Sequence, residues 1–158
     1  MKQGAADDDN FNILDAIKTE LDGIIPNLKF SEMSFEFLTN FVVEKGFVLS
    51  PTELRQFFCI RIKNCFKSLE DDIKVTYELA EKQALKKQEM FPEENFNLRD
   101  EINALLVDVI PRVKFSIIDN TFLTDFGVAN GIISEEQADH IFDTRGNEKF
   151  VVPIYTLL

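Results

Sequence analysis

The most constraining feature of the sequence is an internal repeat, because it limits the chain to folds that can be assembled from two related parts. Displaced by 85 positions, residues 10–46 align with residues 95–131, and 17 of the 37 aligned positions are identical. One residue is then missing, and residues 48–58 match residues 132–142 at an offset of 84. We call these stretches the first copy and the second copy, and we infer that they share a common origin.

The first helix of each copy is marked at both ends. An asparagine can cap its N-terminus, and a proline ends it because proline lacks the N–H donor and clashes with the preceding turn. The residues are Asn12 and Pro26 in the first copy, and Asn97 and Pro111 in the second. A short extended link of three residues is expected soon after each proline.

The second and third helices of each copy carry matching signals. Ser34 and Asp119 occupy equivalent N-cap positions, and Gly46 and Gly131 stand where a left-handed C-terminal cap is needed. A third helix then begins with a capping box, in which a serine is followed three residues later by Glu or Gln. The two boxes are Ser50 with Glu53 and Ser134 with Gln137.

Apolar spacing predicts what these helices bury. In the second helix the large side chains recur at spacings of three and four, which places them on one face that we expect to enter the core. They are Phe37, Leu38 and Phe41 in the first copy, and Phe122, Leu123 and Phe126 in the second. A further stripe continues into the segment between the copies: Leu54, Phe58, Ile62, Phe66 and Leu69.

These patterns together predict an all-α fold, a compact helical bundle of two similar repeats joined by a long helical segment. The joining helix is expected over residues 72–90, with Ile73, Tyr77, Ala80 and Ala84 on its buried side. After Phe142 we expect a turn at Arg145-Gly146-Asn147. The predicted organisation is a disordered acidic N-terminus (1–9), the first repeat with connecting helices (10–94), the second repeat (95–142) and a C-terminal tail (143–158).

Charge and composition exclude several classes of partner. The formal net charge is -11, and a surface of that sign repels phosphate backbones and anionic lipid, so we expect neither nucleic acid nor membrane as partner. No apolar run approaches the roughly 18 residues of a membrane span, and no signal peptide is recognisable. Cys59 and Cys65 diverge on a helix and are expected to be reduced. We therefore predict a cytoplasmic or nuclear location.

The residues offer little for catalysis. His140 is the only histidine, and it aligns with Gln56 of the first copy, so no positioned base is available to a nucleophile. Clustered Cys and His for zinc, a calcium loop and a Gly-rich phosphate loop are all missing. We therefore expect a non-catalytic protein with no metal site and no cofactor.

A candidate interaction surface comes from the matching links and the phenylalanine-rich helices. Its residues are Lys29, Phe30, Phe35, Lys114 and Phe115. The alternative is structural: each link phenylalanine plugs the core beside a lysine whose aliphatic stem covers it. The phenylalanine-rich helices are likewise read as core first, and an excess of exposed apolar surface would instead indicate a binding face.

Both copies resemble the BACK domain, the helical region that follows the BTB domain in many BTB proteins. The resemblance lies in the runs PRVKFSIID and NGIISEEQADHIF of the second copy and FSEMSFEFLTNFVVEKGFVLSPTELRQFF of the first. The link lacks the proline usual in that family, and the tryptophan common after the E…lF helix is absent. The resemblance implies a scaffold in a ubiquitin-ligase substrate adaptor, with a cullin-type ligase or its substrate as partner. A self-assembly module forming homo-oligomers is the alternative, and a small enzyme or ligand binder is the third.

Overall fold

The computed structural model describes residues 29–64 and 68–148, and within these two ranges every regular element is helical, which confirms the all-α class. The helices are α1 (Phe35–Phe37, continuing as a π turn over Leu38–Val43), α2 (Pro51–Asn64), α3 (Leu69–Met90), α4 (Leu98–Leu106), α5 (Asn120–Phe122, continuing as a π turn over Leu123–Val128) and α6 (Glu135–Glu148). Short 3₁₀ turns span Phe30–Glu32, Ile110–Arg112 and Phe115–Ile117. Predictions for Asn12, Pro26, Cys65, Phe66, residues 1–9 and the end of the tail lie outside the described residues.

The local structure of residues 30–46 recurs 85 positions later. The Ser34 side chain caps α1 by accepting from the N–H of Phe37, and Asp119 caps α5 by accepting from the N–H groups of Thr121 and Phe122. Gly46 and Gly131 have φ of 85° and 69°, as predicted for left-handed caps. In both helices the residue after this glycine donates to a carbonyl five residues back, which completes a Schellman motif.

A π turn is the unexpected feature shared by α1 and α5. Thr39 and Thr124, which are 85 residues apart, donate their hydroxyl groups to the carbonyls of Phe35 and Asn120, at 2.9 and 3.1 Å. Such bonds to the carbonyl four residues back compete with the backbone ladder and bend helices. The matching threonines therefore accompany the widened turn at the same position in both helices.

Both predicted capping boxes are formed. The N–H of Ser50 donates to Glu53 Oε2 at 2.8 Å while Ser50 Oγ accepts from the N–H of Glu53. Ser134 and Gln137 exchange the equivalent pair of bonds at the start of α6. Each box satisfies two backbone donors that an α-helix otherwise leaves without a partner, which fixes where α2 and α6 begin.

The long helix α3 organises the core. It packs against α1, α2 and α4, while α6 packs against α5. The four α3 residues predicted to face inward, Ile73, Tyr77, Ala80 and Ala84, are all buried. Asp72 on the same helix is buried as well and pairs with Arg61 Nε of α2 at 3.0 Å, so that its charge has a partner. Completely buried side chains include Leu38, Leu49, Leu54, Phe57, Phe58, Leu79 and Leu123.

Several predicted boundaries are wrong. The first helix of the second copy was predicted to end at Pro111, but α4 ends five residues earlier, at Leu106. It ends there because the N–H groups of Val109 and Arg112 donate to carbonyls three residues back, and Pro111 lies inside a 3₁₀ turn. The stripe from Leu54 to Leu69 is not on one helix, since α2 ends at Asn64 and Leu69 begins α3.

The turn predicted at Arg145-Gly146-Asn147 is also wrong, because α6 continues to Glu148. The Arg145 guanidinium donates to the backbone carbonyl of Phe115 and to Asn120 Oδ1, which anchors the last turns of this helix. Arg145 therefore belongs to the fold of the second copy, although the sequence placed it in the tail.

Candidate functional site

The structure distributes the five predicted interaction residues over several environments. Lys29 and Lys114 are exposed, whereas Phe30 is only 7% exposed. Phe35 is half-buried, with Lys82 Nζ of α3 lying 5.8 Å from its ring centroid. Phe115 is half-buried in its 3₁₀ turn. The binding role of these five residues stays a prediction.

The most exposed aromatic side chains of α1 are Phe37 and Phe41, which the residue spacing predicted to lie in the core. Phe37 and Phe41 stack with ring centroids 5.3 Å apart and an interplanar angle of 22°, and they are 45% and 55% exposed. Leu38, between them, is completely buried. The prediction that these three residues share one buried face is therefore wrong, and we call Phe37 and Phe41 the aromatic pair.

The aromatic pair lies among acidic and polar side chains. Glu36, Asn40, Glu44 and Lys45 are exposed on the same helix and its C-terminal turn. Glu44 also interacts with Lys86 of α3, whose Nζ lies 3.7 Å from the Glu44 carboxylate and 3.1 Å from that of Glu89. The hydrogen bond from Lys86 to Glu89, together with the charge of Glu44, raises the pKa of Lys86.

The equivalent rings of the second copy have a different environment. The ring centroids of Phe122 and Phe126 lie 5.0 Å apart, and both side chains are half-buried, whereas Phe37 and Phe41 are exposed. Lys74 Nζ of α3 lies 5.4 Å from the Phe122 centroid and 6.0 Å from that of Phe126. The Tyr77 ring meets Phe126 edge to face at 5.4 Å. Burial, followed by the charge of Glu81, raises the pKa of the Tyr77 hydroxyl, so this ring remains neutral at physiological pH.

This difference between the copies has a simple origin. The rings themselves are repeated, but Lys74 and Tyr77 belong to α3, which lies in the segment between the copies and is present only once. Helix α3 places a lysine and a tyrosine against the second pair. Against α1 it places Lys82, over Phe35, and Lys86, beside Glu44. The aromatic pair thus keeps about half of its surface in water.

Groups suited to chemistry are dispersed in the described residues. His140 is exposed on α6, and Cys59 is a free, half-buried thiol on α2. Within residues 29–64 and 68–148, no three His, Cys, Asp or Glu side chains come together as a metal site. An open surface pocket of about 520 Å³ lies beside Arg99 and Gly131, and the hydroxyl of Ser134 in its wall is engaged in the α6 cap.

No protein-family model, curated protein or solved structure matches the chain. None of the helices that the structure describes is both long and apolar enough to cross a membrane. One signal in the sequence could have identified the aromatic pair. At a spacing of four, Phe37 and Phe41 form a row next to a polar row, Glu36, Asn40 and Glu44, whereas Leu38 and Val42 form a separate apolar row.

Proposed function

We propose that this protein is a non-catalytic protein–protein interaction scaffold and that the aromatic pair of α1 is the anchor of its binding face. The observation that carries this proposal is the exposure of two stacked phenylalanine rings on a helix whose aliphatic side chains, Leu38, Val42 and Val43, are buried. Aromatic residues that stay exposed in contact with each other are typical of binding surfaces, where they form the energetically dominant contacts.

The exposed area of the two rings sets the free energy that a partner could gain by covering them. A phenylalanine buries about 200 Å² when fully covered, so the exposed fractions of Phe37 and Phe41 leave about 200 Å² of ring surface in water. Covering this area would contribute on the order of 5 kcal/mol before the costs of association. A standard interface buries about 800 Å² on each partner, so the aromatic pair would be the centre of a larger contact.

The class of partner is proposed on the sequence resemblance to the BACK domain. On that basis the scaffold would hold a cullin-type ubiquitin ligase or its substrate, in the cytoplasm or the nucleus. The alternative is self-assembly, in which the exposed pair of one chain packs on another chain. The two functions differ in stoichiometry: an adaptor forms a complex of fixed composition with a different protein, whereas self-assembly grows with concentration.

A matched set of variants tests the proposal. The tagged wild-type chain is compared with Phe37→Ser/Phe41→Ser and with a control, Val107→Ser/Ile117→Ser, which removes two apolar side chains that are 57% and 70% exposed in the second copy. Each is used to capture partners from native extract, and its mass is followed by light scattering over a range of concentrations.

We expect a stoichiometric partner with the wild type and with the control, and at least tenfold less of it with Phe37→Ser/Phe41→Ser. Growth beyond a dimer that disappears in the same variant would establish self-assembly instead. A strictly monomeric wild-type chain that captures no stoichiometric partner would refute both functions.

A further inference from the structure

The second copy shows how this protein covers a pair of phenylalanine rings in contact with each other. Helix α3 packs over the rings of Phe122 and Phe126 and contacts them with a lysine and a tyrosine three residues apart. Lys74 lies over both rings, where the negative face of the π system attracts a cation, and Tyr77 adds an edge-to-face contact. This arrangement is a template for what the equivalent pair on α1 can bind.

We infer that the partner element that covers Phe37 and Phe41 is a cationic amphipathic helix, presenting a lysine or arginine and an aromatic residue one turn apart. This inference rests on the proposed interaction function and specifies the chemistry of its partner. The two phenylalanines on each helix have the same spacing of four, and both helices continue as π turns at matching positions. The rings of the two pairs lie at similar distances, 5.3 and 5.0 Å.

The two lysines that α3 places beside α1 are engaged elsewhere. Lys82 lies over the ring of Phe35, and Lys86 is held between Glu44 and Glu89. Helix α3 therefore does not cover the aromatic pair with a cation in the way that Lys74 covers the second pair, and in the proposed complex the partner supplies this cation.

Charge complementarity favours the same sign of partner. Glu36 and Glu44 flank the aromatic pair on α1, beside the exposed Lys45. Lys86 of α3 lies 3.7 Å from Glu44 but is shared with Glu89, and the whole chain carries a net charge of -11. A cationic helix would therefore be attracted over long range by the acidic surface and at contact by the ring faces. An acidic helix would be repelled at both stages, which gives the inference a clear experimental contrast.

Three labelled peptides test this chemistry on the full-length chain by fluorescence anisotropy. The first is an alanine-based helical peptide of about 18 residues with two Lys-x-x-Tyr pairs on one face. In the second peptide glutamate replaces each lysine of these pairs, and in the third alanine replaces each tyrosine. Wild type, Phe37→Ser/Phe41→Ser and the Val107→Ser/Ile117→Ser control are titrated with each peptide at low and at physiological salt.

We expect the wild type and the control to bind the Lys/Tyr peptide at least tenfold more tightly than the glutamate peptide, and more tightly than the peptide without tyrosine. Phe37→Ser/Phe41→Ser should bind the Lys/Tyr peptide about tenfold more weakly. If that variant has lost helix content by circular dichroism, Glu36→Lys replaces it, and it should weaken binding of the Lys/Tyr peptide and strengthen binding of the glutamate peptide.

Equal binding of the lysine and glutamate peptides, or no binding of any peptide by the wild type, would overturn the inference. If the capture experiment then still finds a stoichiometric partner that depends on Phe37 and Phe41, the interaction function survives and only the cationic helix is refuted. Concentration-dependent self-association that Phe37→Ser/Phe41→Ser abolishes would also overturn it, because a second copy of the chain would then cover the pair.

Discussion

Replacing Gly131 by alanine should lower the free energy of unfolding by about 2 kcal/mol. Its φ of 69° lies in the left-handed region, where an L-residue with a Cβ atom costs about 1–2 kcal/mol. The new Cβ would also lie 2.9 Å from Arg99 Cδ, so this side chain must move. Arg99 Nη2 donates to the carbonyl of Ala129 at 3.0 Å, and losing that bond adds about 0.5–1 kcal/mol.

Two further glycines calibrate the experiment. Gly46→Ala meets the same backbone strain, but its Cβ approaches Met90 Sδ, near the end of a flexible side chain, so we expect a loss of about 1 kcal/mol. Gly127 lies inside α5, and an added Cβ would make ordinary contact with Ile133 at 3.4 Å. Because alanine favours the helix by about 1 kcal/mol, Gly127→Ala should be neutral or stabilising.

Urea unfolding followed by circular dichroism measures all three variants, with the slope of free energy against urea as a check that only stability has changed. The expected order of stability is Gly127→Ala, then Gly46→Ala, then Gly131→Ala. If Gly131→Ala were as stable as the Gly127 variant, the left-handed cap assigned to the second copy would be refuted.

Three other perturbations test separate contacts. Hydrogen bonds from the backbone N–H groups of Thr121 and Phe122 hold the pKa of Asp119 below its ordinary value of 3.8. The stabilising effect of this carboxylate is therefore fully present above its ordinary pKa and is lost as pH falls through the lower folded-state pKa. Asp119→Asn should remove this acid-dependent part of the melting temperature. Arg61→Met leaves the Asp72 charge buried without its partner and should cost about 2–4 kcal/mol in urea unfolding, whereas Arg61→Lys should cost less. Lys74→Ala removes the cation above the two rings of α5 and should cost about 0.5–1 kcal/mol per contact in the same assay, with Lys74→Arg close to wild type.

The sequence was most informative where structure is determined by a few neighbouring residues. The capping box of Ser50 and Glu53 and the left-handed Gly46 were predicted from residue type and spacing alone, because each depends on contacts within one turn. The same holds for the Asn97 cap of α4, and the buried side of α3 was predicted from its apolar periodicity. The common origin of the two copies stays a prediction, because the first helix of the first copy lies outside the described residues.

Features that depend on another part of the chain were predicted less well. The sequence could not place Arg145 in the fold, because its bonds to Phe115 and Asn120 span 30 and 25 residues. The exposure of Phe37 and Phe41 was missed for a related reason. A repeat predicts that the two copies form the same local helix, but what covers that helix comes from the single helix α3.

The π geometry contributed to the same error. A helix with bonds to the fifth residue back turns less per residue than an α-helix, so residues counted onto one face at a spacing of 3.6 diverge. Leu38 and Phe41, three residues apart within the π turn, consequently lie on more divergent faces, with Leu38 in the core and Phe41 exposed. The separate stripes of Phe37 with Phe41 and Leu38 with Val42 were present in the sequence, but which stripe stays uncovered is decided by how α3 packs on α1.

Amide hydrogen exchange of the chain, free and in complex with the partner that it captures, tests the central claim most directly. If the aromatic pair anchors the binding face, complex formation should slow exchange in α1 and its C-terminal turn, residues 35–46. The segment around Val107 and Ile117 should exchange at the same rate in both states. Protection confined to the second copy, or unchanged exchange throughout α1, would contradict the account.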